Sequence, residues 1–384
     1  MNNIGLKRQF RAFDFVLTVM IFVLAVSGII MLGSATRIDL NGIDGLFKRQ
    51  IMWIGTGFVL MLAASFIDYH FICKFYIPIY ILMVGLLIAV FSAADINGTG
   101  RWFDIFGMSI QPSEFSKVFI IIFLSKFIEL KGDDVNKISV ILLILLLVLV
   151  PVGLVYLQPA LSASGVILVI SCAVIFAGKI QYRKIAVILL FIAPLVTYLY
   201  VDFISEDRVL INKLVELEIV KEYQINRIEA MINPTLDPDT YRQLEDSKYA
   251  IGSGQLRGKG IYNGIHGHST AESENDFIFA VLGEEFGFIG CASIIILMFL
   301  IVCKCLYTAA TAPDTCGRLI AVGAAAMFFF QSFFHVGVTI GLMPVTGVTF
   351  PFFSYGGSSM WACMIAAGLV VNVGMSKNKS LFED

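Results

Sequence analysis

The sequence predicts an all-α integral membrane protein: a polytopic bundle of about ten transmembrane helices with one large extracytoplasmic loop and one re-entrant loop. Three observations carry this expectation. Hydrophobic residues make up 58% of the 384 residues, charged residues only 15%, and mean hydropathy is +0.85, more apolar than a single soluble core uses. Ten apolar runs approach the ~20 residues that cross a hydrocarbon core, and Lys and Arg are distributed unequally between the two sets of short connections.

In chain order the runs centre near Ile21, Leu60, Leu82, Ile122, Leu145, Ile170, Leu190, Leu297, Phe329 and Ala367. The first follows Lys7, Arg8 and Arg11 and has no A-x-A ending, so it reads as a retained anchor rather than a cleaved signal. Polar residues open the fourth and eighth runs. Fourteen basic residues, from Lys7 through Lys179 and Arg183 to Lys379, fall on one side, and Arg37, Lys48, Arg49 and Arg101 on the other. By the positive-inside rule both termini are expected in the cytoplasm. The whole chain, 1–384, then reads as one membrane domain, with the 202–275 connection outside as its large loop. Asp202 to Ile232 has the spacing of an amphipathic helix on the bilayer surface, and a glycine-rich stretch from Gly252 to Gly267 follows.

Composition also excludes functions. A net charge of -2 gives no basic field for nucleic acid. The seven cysteines include no CxxC and no Cys/His cluster, so neither a disulfide framework nor a zinc site is expected. Gly254 to Gly260 is not a nucleotide-binding P-loop. Ser253 stands where its first glycine belongs, and Gly260 replaces the hydroxyl. That leaves a compact turn, or backbone N–H groups and Lys259 approaching an anionic group.

Four stretches combine ionisable or turn-forming residues with membrane depth. Asp276 opens the eighth run, either as a helix cap or as a base at the water–lipid boundary. Glu284 and Glu285 follow about 12 Å deeper along the helix axis, where ionisable groups point to function. Glu114 and Lys117 share a helix face, and a mutual ion pair is the favoured reading. Arg101 with Trp102 is an interfacial belt pair or a phosphate clamp. Gly341 to Ser359 is uncharged and turn-rich, as a re-entrant loop flooring a cavity would be. His335, in a neighbouring run, reads as an interior residue rather than a catalyst.

These stretches, Arg101-Trp102 with Gln111-Pro112-Ser113-Glu114 and Lys117, Ala250 to Gly254 with Gly258-Lys259-Gly260, Asp276 to Ala280 with Gly283-Glu284-Glu285 and Gly287, and Pro344 to Gly347 with Ser354 to Ser359, resemble the SEDS family of RodA, FtsW and SpoVE over about residues 13 to 375. Gly258-Lys259-Gly260 and the spacing of Arg227, Pro234, Asp237-Pro238 and Tyr241 resemble its RodA branch most. The resemblance implies a peptidoglycan glycosyltransferase that polymerises lipid II at the outer face of the bacterial cytoplasmic membrane, partnered by a class B penicillin-binding protein. It places the essential aspartate at Asp276, the conserved tryptophan at Trp102 and the paired residues at Glu114 and Lys117.

Arg101, Trp102, Lys259, Ser354 and Gly356 are expected at the substrate. A divalent cation, magnesium or manganese, is a further expectation, and no organic cofactor is. Three stretches depart from the family pattern. Ala271 to Asn275 replaces a common Pro-Glu-x-His-Thr and brings Glu274 two residues from Asp276. Gln158 to Ala163 differs from Gln-Pro-Asp-Leu-Gly-Thr, and His335 stands where asparagine is usual. Two other classes use the same residues differently: a flippase of the lipid-linked precursor and a non-catalytic scaffold of the wall-synthesis complex.

Overall fold

The computed structural model describes residues 12–36, 45–92, 101–105, 108–158, 160–181, 183–184, 209–216, 225, 238–265 and 274–380. The run centred on Leu190 lies outside them, as do residues 202–208, 217–224, 226–237 and 266–273 of the 202–275 connection. In chain order the helices are α1 (Phe15–Ala35), α2 (Gly45–Phe66), α3 (Tyr69–Lys74), α4 (Tyr76–Ala89), α5 (Pro112–Lys131), α6 (Ile138–Leu157), α7 (Leu161–Ala177), α8 (Val209–Glu216), α9 (Pro238–Ser253), α10 (Ile278–Ala310), α11 (Thr315–Thr339) and α12 (Gly357–Ser380). One antiparallel hairpin, β1 (Phe103–Ile105) with β2 (Met108–Ile110), precedes α5 and pairs Phe103 with Ile110.

Among the described residues, six helices (α1, α2, α6, α10, α11, α12) are long and apolar enough to cross a membrane, and two shorter apolar helices join them. With α5 these form an all-α membrane bundle of the predicted kind. Helix α5 carries more charge than a lipid-facing span tolerates, and its charges close on one another: Lys117 Nζ is 2.7 Å from Glu114 and Lys126 Nζ 2.6 Å from Glu129. Its position inside the bundle, against α4, α7, α11 and α12, makes this possible.

Burial sorts the helices into an inner and an outer set. Helices α11 and α12 are mostly enclosed by protein, whereas α1, α4 and α6 present Phe15, Phe22, Ile81, Leu142, Leu146 and Leu149 outward. An apolar outer face is what a lipid solvent selects. Polar side chains hold the inner helices. Asn372 of α12 donates to the carbonyls of Ala64, Ser65 and Ile67 and accepts from Tyr69 N–H, finishing the end of α2 where its own hydrogen bonds run out. All seven cysteines are free thiols.

Candidate active site

A cavity of about 560 Å³ opens among the starts of α2, α5, α7, α10 and α12, the hairpin, α9 and the stretch between α11 and α12. The last of these, Gly341 to Gly356, is irregular backbone at a bundle end, and side chains from other elements satisfy it. Ser162 of α7 donates to Thr346 O at 2.6 Å, Gln50 of α2 donates to Ser354 O at 3.2 Å, and Gly356 N–H donates back to Gln50 Oε1 at 3.4 Å. Backbone of this kind survives at membrane depth only when it is buried or lines a wet cavity. Here it does both.

Asp276 lines this cavity. It does not occupy the cap position of α10, which is Phe277, a residue without a capping side-chain bond. The preceding backbone is tied down: Tyr355 N–H donates to Glu274 O at 3.1 Å and the Ser354 hydroxyl to Asn275 O at 3.0 Å. Gly347, at φ +73°, faces the carboxylate, and a β-carbon there would lie 3.6 Å from Asp276 Oδ2. Two tethers and a glycine therefore fix where Asp276 points.

Arg101, Trp102 and Gly356 line the same cavity, as does the Glu114–Lys117 pair. Lys117 is 1% exposed, so the pair is both a buried fastening of α5 and part of the cavity wall. Ser354 is not among the lining residues. Its hydroxyl is taken up by Asn275 O and by Phe350 N–H, so it positions the backbone before Asp276 instead of facing a ligand.

The structure moves Lys259 out of the site altogether. Its ammonium lies 2.6 Å from Glu284, a carboxylate with no exposed surface that also accepts from Ile265 N–H. The cause is a break in α10. Gly287 adopts φ +64°, ψ −161°, which interrupts the helical hydrogen bonds. The glycine-rich segment repairs them: Lys259 and Gly260 N–H donate to the carbonyls of Glu284 and Glu285 at 3.0 Å, while Phe288 and Ile289 N–H donate to Gln255 and Leu256 at 2.8 and 3.2 Å. Gly258 must be glycine, because a β-carbon would sit 2.1 Å from Glu285 O. Glu285 accepts from Tyr262 N–H and from the Ser34 hydroxyl. The anionic group that the glycine-rich stretch meets is thus the protein's own. Lys259→Met should destabilise the fold by about 2 kcal/mol, less than a fully buried pair costs when broken because the ammonium is part-exposed. Thermal unfolding measures this, and the folded fraction should keep its catalytic rate.

The cavity also holds residues that sequence reasoning missed. Arg49 and Trp53 reach it from one face of α2, and the Tyr355 ring packs against Trp53 at a 50° tilt with ring centroids 4.9 Å apart. Burial raises the Tyr355 phenol above its ordinary pKa; Arg49 opposes the rise through its charge and hydrogen bond, and Glu274 adds to it. Arg49 had one visible signal, as one of four cations on the side expected to be extracytoplasmic. Thr240 and Gln243 come from α9, and Gln111 fixes the hairpin to α12 through its N–H to Ser358. His335 lies away from the lining, buried, with Nδ1 2.8 Å from Val348 O.

No group of three or more His, Cys, Asp or Glu able to hold a metal occurs among the described residues. A divalent cation here would have to share its coordination between one cavity carboxylate and phosphate oxygens of a ligand, as magnesium commonly does.

The family profile described as "Cell cycle protein", for FtsW, RodA and SpoVE, matches residues 15–379. A Trichlorobacter lovleyi protein named probable peptidoglycan glycosyltransferase FtsW is 32% identical, over 96% of this chain and 95% of its own. Peptidoglycan glycosyltransferase MrdB of Escherichia coli is 31% identical, over 86% and 85%. These near-equal identities do not separate the branches of the family. Among solved structures, a chain of a peptidoglycan synthase complex that coordinates polymerization and crosslinking superposes with TM-score 0.77 at 28% identity, covering 97% of this chain and 99% of that one. The rod shape determining protein RodA of Thermus thermophilus follows with TM-score 0.67 at 27% identity, covering 97% and 98%.

Proposed function

This chain belongs to the FtsW, RodA and SpoVE family of cell cycle proteins, and from that premise we propose that its cavity carries out peptidoglycan glycosyl transfer with Asp276 as general base. The substrates are two lipid II molecules, each a disaccharide on a polyprenyl diphosphate. The observation that carries the reading is the shared opening of Asp276, Arg49 and Arg101 into one cavity. The Glu114–Lys117 pair closes on itself at 2.7 Å. Asp276 is then the carboxylate, and the two arginines the cations, of the remaining wall.

In the proposed step Asp276 takes the proton of the acceptor's sugar hydroxyl as that oxygen attacks the donor's anomeric carbon. The new C–O bond forms on the face opposite the leaving group, so the configuration inverts. The bond to the diphosphate breaks, and its electron pair leaves on the phosphate oxygen. That oxygen needs positive charge rather than a proton, so one carboxylate suffices where glycosidases pair two. Arg49 and Arg101 supply it, with bidentate geometry suited to phosphate. A bound divalent cation would add to that charge. Trp53, Trp102 and Tyr355 offer flat faces to the sugars. Arg49→Ala should lower kcat/KM about ten- to one-hundredfold, the worth of a charge-assisted hydrogen bond. Steady-state kinetics on lipid II measures it.

The positive-inside count supports cytoplasmic termini and a cavity facing outward, with 202–275 as an outer loop, in the bacterial cytoplasmic membrane. A class B penicillin-binding protein is the proposed partner. Its transpeptidase would crosslink what this chain polymerises, in line with the synthase complex noted above. The flippase alternative draws on Glu114, Lys117, Glu284 and Glu285; the first two pair with each other at 2.7 Å in the cavity wall, and the last two are occupied by the clamp on α10 and lie outside the cavity lining. A scaffold would need no such cavity. Purified protein supplied with labelled lipid II should yield glycan polymer. Movement of lipid II across a vesicle membrane without polymer would establish the flippase in its place, and neither activity would leave the scaffold.

A further inference from the structure

A second cavity lies in the groove between α1 and α10. It has a volume of about 590 Å³, and Ser27, Ile30, Ile289, Ser293 and Ile294 line it together with Arg257. We propose that this groove binds one anionic glycerophospholipid of the bilayer, its acyl chain between α1 and α10 and its phosphate on Arg257. The proposal goes beyond the transferase reaction and does not depend on it.

Length sets the level of the groove in the membrane. Helix α10 is two helical pieces joined across the break at Gly287, and the hydrocarbon it meets is about 30 Å thick. The part from Phe288 to Ala310 alone spans about 34 Å, so the break at Gly287 marks the boundary between hydrocarbon and headgroups. Arg257 belongs to the segment hydrogen-bonded across that break. It therefore sits at headgroup level, while Ile289, Ser293 and Ile294 descend from it into the acyl region. Ile30 and Ile289 are 40% and 52% exposed, so the groove is open to lipid along its side.

Chemistry sets the kind of lipid. The groove's two serines spend their hydroxyls on their own helices, Ser27 on Val23 O and Ser293 on Ile289 O, which leaves the walls effectively apolar. Arg257 is the charged residue of the lining and is exposed. A guanidinium at the mouth of an apolar slot complements a phosphate carried on an acyl chain. The depth from Gly287, level with Arg257, to Ile294 is about 10 Å, within one leaflet of about 15 Å, which suits a glycerophospholipid tail rather than a long polyprenyl chain.

The test uses the full chain in nanodiscs of equimolar phosphatidylglycerol and phosphatidylcholine, transferred to detergent and weighed by native mass spectrometry. The wild type should retain phosphatidylglycerol in preference to phosphatidylcholine. Arg257→Gln should cut that preference about fivefold, the effect of one cation at an anionic surface. Ser293→Phe, which fills the groove from its exposed wall and leaves the arginine in place, should abolish retention. Equal preference in the wild type and Arg257→Gln would overturn the proposal. So would undiminished retention in Ser293→Phe, or replacement of the phospholipid by added polyprenyl phosphate.

Discussion

Asp276→Asn lowers the rate of glycan polymerisation by at least about one-hundredfold, the lower end of what a positioned general base contributes, with an unchanged yield of folded protein. Asparagine keeps the shape of the side chain and its place beside Gly347, and it leaves intact the bonds from Ser354 and Tyr355 that hold residues 274 and 275. The ability to accept the acceptor's proton is lost. The measurement is product formed per minute from purified lipid II, with size-resolved chains as a second readout. Chains of normal length at a normal rate would remove Asp276 from the role of base. A loss of rate together with a loss of folded yield would show that the residue braces α10 instead.

Lys117→Met destabilises the protein by about 3–5 kcal/mol. The change strands Glu114 in a site that is 9% exposed, without the ammonium 2.7 Å away. Glu114→Gln combined with Lys117→Met should recover most of that loss, because the stranded charge is then gone. Thermal unfolding of the two single variants and the double variant in detergent closes the cycle. The pair also lines the cavity, so activity is a separate readout. A double variant that folds well but makes no polymer would show that the pair serves the substrate as well as the bundle. A stable Lys117→Met single variant would show that Glu114 is not dependent on it.

The membrane bundle was legible because lipid demands long apolar runs, and hydropathy reports them directly. Asp276, Arg101 and Trp102 were legible for a related reason: charge and aromatic rings stand out where apolar sequence begins. Arg49, Trp53 and Tyr355 were not, since they arrive at the same cavity from α2 and from a loop some 300 residues away, and only the packing of α12 on α2 brings them together. Lys259 shows the opposite failure. Read along the chain, a lysine between two glycines resembles a phosphate site. Glu284, its actual counter-ion, becomes visible only when α10 folds back beneath it. Ser354 was placed in the right region but given the wrong duty, because the sequence does not say which way a hydroxyl turns. The β1–β2 hairpin that presents Arg101 and Trp102 was hidden by its brevity.

The break at Gly287 and its repair by residues 255 to 260 bear on how the outer connection can be dissected. A stretch that closes the main-chain bonds of a span is architecturally part of that span, whatever its polarity suggests. Epitope tags or excisions placed between Gln255 and Ile265 will register as a collapsed membrane helix, whereas those same manipulations elsewhere in the connection report on the connection itself.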